Sequence, residues 1–219
     1  MLEYLPVLRH TALFAGVQGE EIAAMLTCLQ ARLRRFPKGS TVLREGDRPQ
    51  GIGVLAEGRL HIQKDDYWGS RSILGQIEAG DLFGEAYSAP ESGVLPHDVV
   101  AVEDSAVIFF DAGRVLTTCP SACPFHAAVV KNLFLALSEK NRALVQKLEH
   151  MSRRSTREKL LSYLSGEAKR QHSAHFFIPF NRQQLADYLS VDRSALSAEL
   201  GRMRDEGLLR FRRSEFELL

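Results

Sequence analysis

The chain has 219 residues, 28 Lys+Arg against 27 Asp+Glu, and 45% hydrophobic residues, values that fit one large globular domain or two modest ones. They exclude a disordered or collagen-like chain, and only 3 Cys exclude a disulfide scaffold. The net charge of +1 advertises no nucleic-acid partner, yet it averages two unlike parts: residues 151–219 carry 13 Lys+Arg and 9 Asp+Glu, net +4, whereas residues 1–150 are net −3.

Cys28, Cys119 and Cys123, in a chain without a signal-peptide pattern, predict a reducing, cytoplasmic setting. The longest run free of Asp, Glu, Lys and Arg, residues 115–130, carries Pro120 and Pro124. It falls short of the roughly 18 apolar residues a spanning helix needs, so no membrane segment is expected.

In chain order, Ile22, Met25, Leu26, Leu29 and Leu33 recur at helical spacing after Gly19, Glu20 and Glu21, which predicts a short helix within residues 13–33. From residue 36 to about 111 the texture changes to short β-rich runs at 40–43, 53–56, 60–62, 72–74 and 107–110. Turn signals separate them at 37–39, 45–47, 57–58 and 79–81. Many short strands so spaced predict a sandwich or barrel.

After Pro124 the pattern is long and helical. Read as heptads, position a falls on Ala127, Phe134, Asn141 and Leu148, and position d on Val130, Leu137, Leu144 and Met151. Phe134, Leu137, Asn141, Leu144 and Leu148 are therefore expected to form a dimer seam; the alternative is a helix packed on its own barrel. Asn at an a position lowers stability but fixes register in a parallel dimer, which favours the seam. Residues 152–155 break the pattern, and Ser155 with Glu158 has the spacing of a capping box that starts a helix through Leu164. A hinge between domains is expected at that break.

Residues 173–179 read as extended. Asn181 can then cap a helix, with Gln184 reaching back and Phe180 stapling onto Leu185. That helix, 182 to about 189, is followed by a second, 193 to about 205, with Asp192 as its N-cap. Leu185, Leu189, Val191, Leu196, Leu200 and Met203 stand where two helices crossing at a tight turn would pack. This is the helix-turn-helix pattern. In such a unit the N-terminal residues of the second helix meet base edges, here Arg193, Ser194 and Ser197, and Arg193 suits bidentate contact with guanine. Residues 207–213 and 215–218 alternate like a hairpin and predict a wing carrying Arg210, Arg212 and Arg213. With Arg182 and Gln183 these are the candidate phosphate contacts. The alternative is a protein-binding domain whose arginines are merely solvated.

Taken together, the fold class is α+β: an antiparallel β-roll over residues 1–123, a dimerisation helix over 124–151, and a winged helix-turn-helix over 152–219. This arrangement resembles the CRP/FNR family of transcription regulators over almost the whole chain. In the first part the resemblance rests on Phe36-Pro37-Lys38-Gly39-Ser40, Glu45-Gly46-Asp47, Gly58 and Gly80-Asp81-Leu82-Phe83-Gly84-Glu85. In the second it rests on Asn181-Arg182-Gln183-Gln184-Leu185-Ala186-Asp187 and Val191-Asp192-Arg193-Ser194. It implies a cytoplasmic homodimer on a pseudo-palindromic double-stranded DNA operator, a small-molecule effector in the β-roll, and a role for RNA polymerase as a further partner.

The resemblance also implies where a nucleotide would sit. Members that bind cyclic AMP use a Gly-Glu pair on the ribose and an Arg followed by Ser or Thr on the phosphate. Gly84 and Glu85 match the pair, but Leu95 and Pro96 stand at the positions of the Arg and hydroxyl, and no Lys or Arg occurs between Arg71 and Arg114. A buried phosphate without a cation is costly, so cyclic AMP is not expected in the usual mode. An unidentified effector near Gly84, Glu85, Tyr87, Leu95 and Pro96, with Tyr67 and Trp68 as further lining, is expected instead. The alternatives within the family are a redox pair, Cys119 with Cys123, or a haem held by His61, His97 or His126. An iron-sulfur cluster needs four cysteines and is rejected. A cupin-like metal enzyme lacks its His-x-His pair, since Ile62 and Gln63 follow His61, and neither a nucleophile elbow nor catalysis is expected.

Overall fold

The structure, a computed structural model, describes residues 1–49, 51–65, 67–68, 71–89, 91, 93–117 and 124–219. Cys119 and Cys123, and with them the redox pair, lie outside the described residues. The chain forms two units, Met1–Leu137 and Ser138–Leu219.

The first unit begins with a short turn at Leu2–Tyr4, helix α1 (Leu5–Leu8) and a second turn at Ala12–Phe14. Helix α2 (Gly19–Cys28) starts where the acids predict, with the backbone N–H of Gln18 donating to Glu21 Oε2 at 2.8 Å in a capping box. It ends earlier than its apolar spacing suggests. Gln30 takes a left-handed φ of 50°, and Leu33, expected on the helix, lies instead in strand β1 (Arg32–Phe36), where pairing with a distant strand overrides the local period.

Seven more strands follow: β2 (Thr41–Leu43), β3 (Gly51–Glu57), β4 (Leu60–Asp65), β5 (Arg71–Ile77), β6 (Leu82–Phe83), β7 (Asp98–Ala101) and β8 (Ser105–Asp111). They make two antiparallel four-stranded sheets, β1-β8-β3-β6 and β2-β7-β4-β5. β3 and β8 are buried on both faces, which is why their sequences run nearly continuously apolar. One face, with Val54, Ile108 and Phe110, packs on a cluster that includes Ile22, Met25 and Leu133. The other, with Leu55 and Val107, joins Leu60, Phe83 and Val99 between the sheets. The turn after β3 needs a glycine: Gly58 has φ +91°, and a Cβ there would stand 2.6 Å from the Asp104 carbonyl oxygen.

Helix α3 (Ala112–Leu116) is capped by Asp111, whose Oδ1 accepts the Arg114 N–H at 2.8 Å. The long helix α4 (Pro124–Met151) then shows two faces. Val129 and Leu133 sink into the core of the first unit, and Asn132 Nδ2 donates to the carbonyls of Leu13 (3.1 Å) and Ala15 (2.8 Å). The heptad residues lie elsewhere: Phe134 is 67% exposed, Leu144 61% and Leu148 66%, while Leu137 and Asn141 are exposed as well. The helix thus joins the core of the first unit, but not through the heptad stripe.

The second unit holds α5 (Thr156–Gln171), β9 (His175–Phe177), α6 (Arg182–Leu189), α7 (Arg193–Asp205), β10 (Leu209–Arg212) and β11 (Glu215–Leu218), with the sheet ordered β10-β11-β9. Ser155 and Glu158 form the predicted capping box. The helix runs beyond Leu164, the expected limit, because its last turns continue with paired polar residues, Glu167 bonding Arg170 and Gln171, until His172 turns left-handed. The break at 152–155 is internal to this unit: His150, on the last turn of α4, has Nδ1 2.9 Å from Ser162 Oγ and its ring edge-on to Tyr163. Leu160, Leu164, Leu185, Leu196, Leu200 and Phe216 build one core under α6, α7 and the hairpin. No helix among the described residues is long and apolar enough to cross a membrane.

Candidate nucleic-acid interface and effector site

The turn between α6 and α7 is built from capping residues. Asn181 Oδ1 accepts the Gln184 N–H at 2.9 Å and Gln184 Oε1 accepts the Asn181 N–H at 2.8 Å. α6 ends on Ser190 in the left-handed region, φ 50°. Asp192 then caps α7, taking the N–H groups of Ser194 (2.8 Å) and Ala195 (3.0 Å) and the Ser194 hydroxyl on one oxygen. These bonds, that of the hydroxyl foremost, hold the Asp192 carboxyl below the usual carboxylate range.

Sequence reading missed two further braces. Lys159 Nζ donates to the carbonyls of Leu189 (3.0 Å) and Ser190 (3.3 Å), satisfying the end of α6. Arg157 reaches Glu199, at 3.3 Å, and also both carboxylate oxygens of Glu206, so it ties α5 to α7. Glu199 is buried and also holds Arg202 at 2.7 Å. A glutamate at helical spacing among Leu196, Leu200 and Met203, the apolar face of α7, was the available signal; its partner, 42 residues away, was not.

The predicted contact residues divide into free and engaged groups. Arg193 is exposed at the start of α7 and lines, with Arg182, Gln183 and Arg213, an open cavity of about 720 Å3 between the helix starts and the hairpin turn. Arg193, Arg212 and Arg213 have no ion-pair partner among the described residues. Arg213 takes a left-handed φ of 54° at the hairpin turn. Arg210 faces Glu217 across the hairpin at 3.5 Å. Ser197 Oγ donates to the Arg193 carbonyl at 2.9 Å, and Gln183 Nε2 to Asp187 at 2.9 Å. Arg182 does not reach outward: its guanidinium lies 4.8 Å and 5.2 Å from the ring centres of Phe211 and Phe216, with Nη1 buried and unbonded, and this burial lowers its pKa.

In the first unit Gly84 is left-handed, φ 76°, and opens a short turn, Glu85–Tyr87. Ser88 Oγ pins that turn, standing 2.6 Å from the Gly84 carbonyl and 2.9 Å from that of Gly51, which share its one proton. The Tyr87 ring meets His97 edge-on at 5.9 Å, and burial lowers the pKa of His97. Leu95 is buried, its backbone paired with Gly46 and Asp47, while Pro96 is exposed. Tyr67 and Trp68 do not line a pocket; they are 95% and 86% exposed and pack on each other beyond the end of β4, where the hairpin tip carries them into solvent. Of the haem candidates, His126 is buried against the Val115 carbonyl, and His61 lies in β4. No group of three or more metal-ligating side chains occurs among the described residues.

Residues 33–121 match the cyclic nucleotide-binding domain, and residues 158–219 match the Crp-like helix-turn-helix domain. The chain belongs to the CRP/FNR family of transcription regulators. Among relatives of this CRP/FNR chain, the cyclic AMP receptor protein of Thermus thermophilus is 26% identical over 200 residues, covering 90% of this chain and 82% of that protein. The transcriptional activator protein FnrL of Cereibacter sphaeroides is 24% identical over 219 residues, covering 92% and 81%. In fold, the solved structure of CprK complexed with OCPA superposes with a TM-score of 0.66 at 15% identity, covering 89% of this chain and 88% of that one. The regulator thus carries a cyclic nucleotide-binding-like β-roll and a DNA-binding helix-turn-helix.

Proposed function

We propose that this regulator works as a homodimer on a pseudo-palindromic operator, under the control of a small effector held in the β-roll, with residues 1–123 sensing, 124–151 dimerising and 152–219 reading DNA. The observation that carries the reading is the set of exposed, unpaired arginines beside the helix-turn-helix. Arg193, with Ser194 and Ser197 behind it, reads base edges; Arg212 and Arg213, with Gln183 at the α6 start, hold phosphates, while Arg182 stays on the rings of Phe211 and Phe216 and braces the hairpin. The operator differs from that of the best-known member, because Ser194 and Ala198 stand where that member has Glu and a second Arg.

The exposed stripe of Phe134, Leu137, Asn141, Leu144 and Leu148, which the chain's own core leaves uncovered, supports dimerisation. The effector is not cyclic AMP in the usual mode, since Leu95 is buried and apolar and Pro96 offers no charge. Contact with RNA polymerase is an expectation drawn from the family, and no catalytic step is assigned. The test combines light scattering with DNA-binding selection on the full chain. A dimer that selects a two-fold symmetric site with half-sites about one helical turn apart is expected. A monomer at all concentrations, or binding without sequence choice, overturns the reading, and tight saturable cyclic AMP binding in calorimetry overturns the exclusion.

A further inference from the structure

The β-roll is unsealed along one side. β1 and β2 are both edge strands, each of a different sheet, and a cavity of about 350 Å3 lies beside both. Its apolar wall is Val42 and Leu43 of β2 and Phe109 of β8, which belong to or pack against the core between the sheets. Arg32 and Arg34 of β1 and Arg48 of the following loop supply its charge.

Strand alternation places Arg32 and Arg34 on the same side as Phe36, whose ring Arg34 covers at 5.2 Å. Arg35 turns the other way, to Glu3 at 3.1 Å. Arg32, Arg34 and Arg48 have no ion-pair partner among the described residues. Two acids share the cavity, Asp47 and Asp111, and Asp111 is occupied as the cap of α3. The cap leaves the Asp111 carboxylate charged, so three cations stand against two carboxylates over an apolar floor and the cavity keeps a positive excess. An anion relieves their mutual repulsion and makes charge-assisted hydrogen bonds, and the volume is within the range of small-ligand sites.

We infer that this side of the roll binds a small amphiphilic anion, an aliphatic or aromatic body bearing a carboxylate or phosphate, with Arg32, Arg34 and Arg48 on its head group and Phe109, Val42 and Leu43 under its body. The inference rests on the reading of the β-roll as an effector domain and names the class of effector. The cations come from β1 and the β2–β3 loop rather than from the stretch between Arg71 and Arg114, which is empty of them.

Calorimetry on the full chain with decanoate and with phenyl phosphate tests it, the two probes separating carboxylate from phosphate heads. Saturable binding of one molecule per chain is expected for at least one probe. Arg34→Gln and Arg48→Gln should each weaken it on the order of tenfold, and Arg59→Gln, outside the cavity, should leave it unchanged. Circular dichroism checks that the variants fold, as exposed arginines should allow. No saturable binding of either probe, equal binding by the Arg32→Gln, Arg34→Gln, Arg48→Gln triple variant, or inorganic phosphate binding as well as phenyl phosphate would each overturn the inference. Sequence-specific DNA binding is measured on the same protein: if it persists while both probes fail, the site is lost and the regulator reading stands.

Discussion

The two units hold themselves together differently. In the DNA-reading unit the helix starts are tied by side chains within three residues, at Ser155 with Glu158, Asn181 with Gln184, and Asp192. The sensor unit depends on partners far apart in sequence: β1 pairs β8 with Arg32 opposite Phe109, and β3 pairs β8 with Gly51 opposite Asp111. The first arrangement makes a rigid platform for a few arginines. The second leaves two edge strands, β1 and β2, with a cavity beside them.

That contrast is open to direct attack. Leu200, on the inner face of α7, is fully buried, so Leu200→Ala should cost about 2–5 kcal/mol and lower only the calorimetric transition of the second unit; an equal fall in both transitions would break the distinction. Gly58→Ala is the counterpart, forcing a Cβ toward the Asp104 carbonyl at φ +91°. It should cost about 1–3 kcal/mol and lower only the first unit's transition. Arg193→Ala should weaken specific binding by about 1–3 kcal/mol and relax choice at one base pair, whereas Arg212→Ala should weaken binding to all sequences and reduce the salt slope by about 1. Fluorescence anisotropy across a salt series separates the two.

The smallest effect is on pH. The Asp192 carboxyl is lowered by its capping bonds, so its contribution is complete above the unfolded carboxylate value of about 3.9 and is lost as pH falls through the lower folded value. Denaturation of Asp192→Asn against the natural chain should therefore show curves that converge in acid and separate above that window.

The same contrast explains what could be read from the chain. The caps at Ser155, Asn181 and Asp192 are local, and both reading helices lie where the sequence puts them. The five β-rich runs also fall on strands, since two-sided burial leaves an apolar trace. β1 was not legible: four of its five residues are Arg32, Arg34, Arg35 and half-buried Leu33, and its strand character comes from β8. The end of α2 was misread for the same reason. Arg157 on Glu199 and Glu206, and the arginines gathered beside Phe109, are products of tertiary placement that no spacing announces. Arg182 shows the converse, a correctly placed residue whose side chain is claimed by the aromatic rings of the hairpin.

Asn132 gives the long helix a fixed azimuth. Its amide holds two carbonyls, of Leu13 and Ala15, in the chain segment that leads into α2. Advancing α4 by one residue turns it by about 100°, enough to carry Asn132 away from both. Rotation of this part of the helix about its axis therefore costs both bonds, about 0.5–1.5 kcal/mol each, so Asn132 helps to set which face of α4 meets the first unit's core.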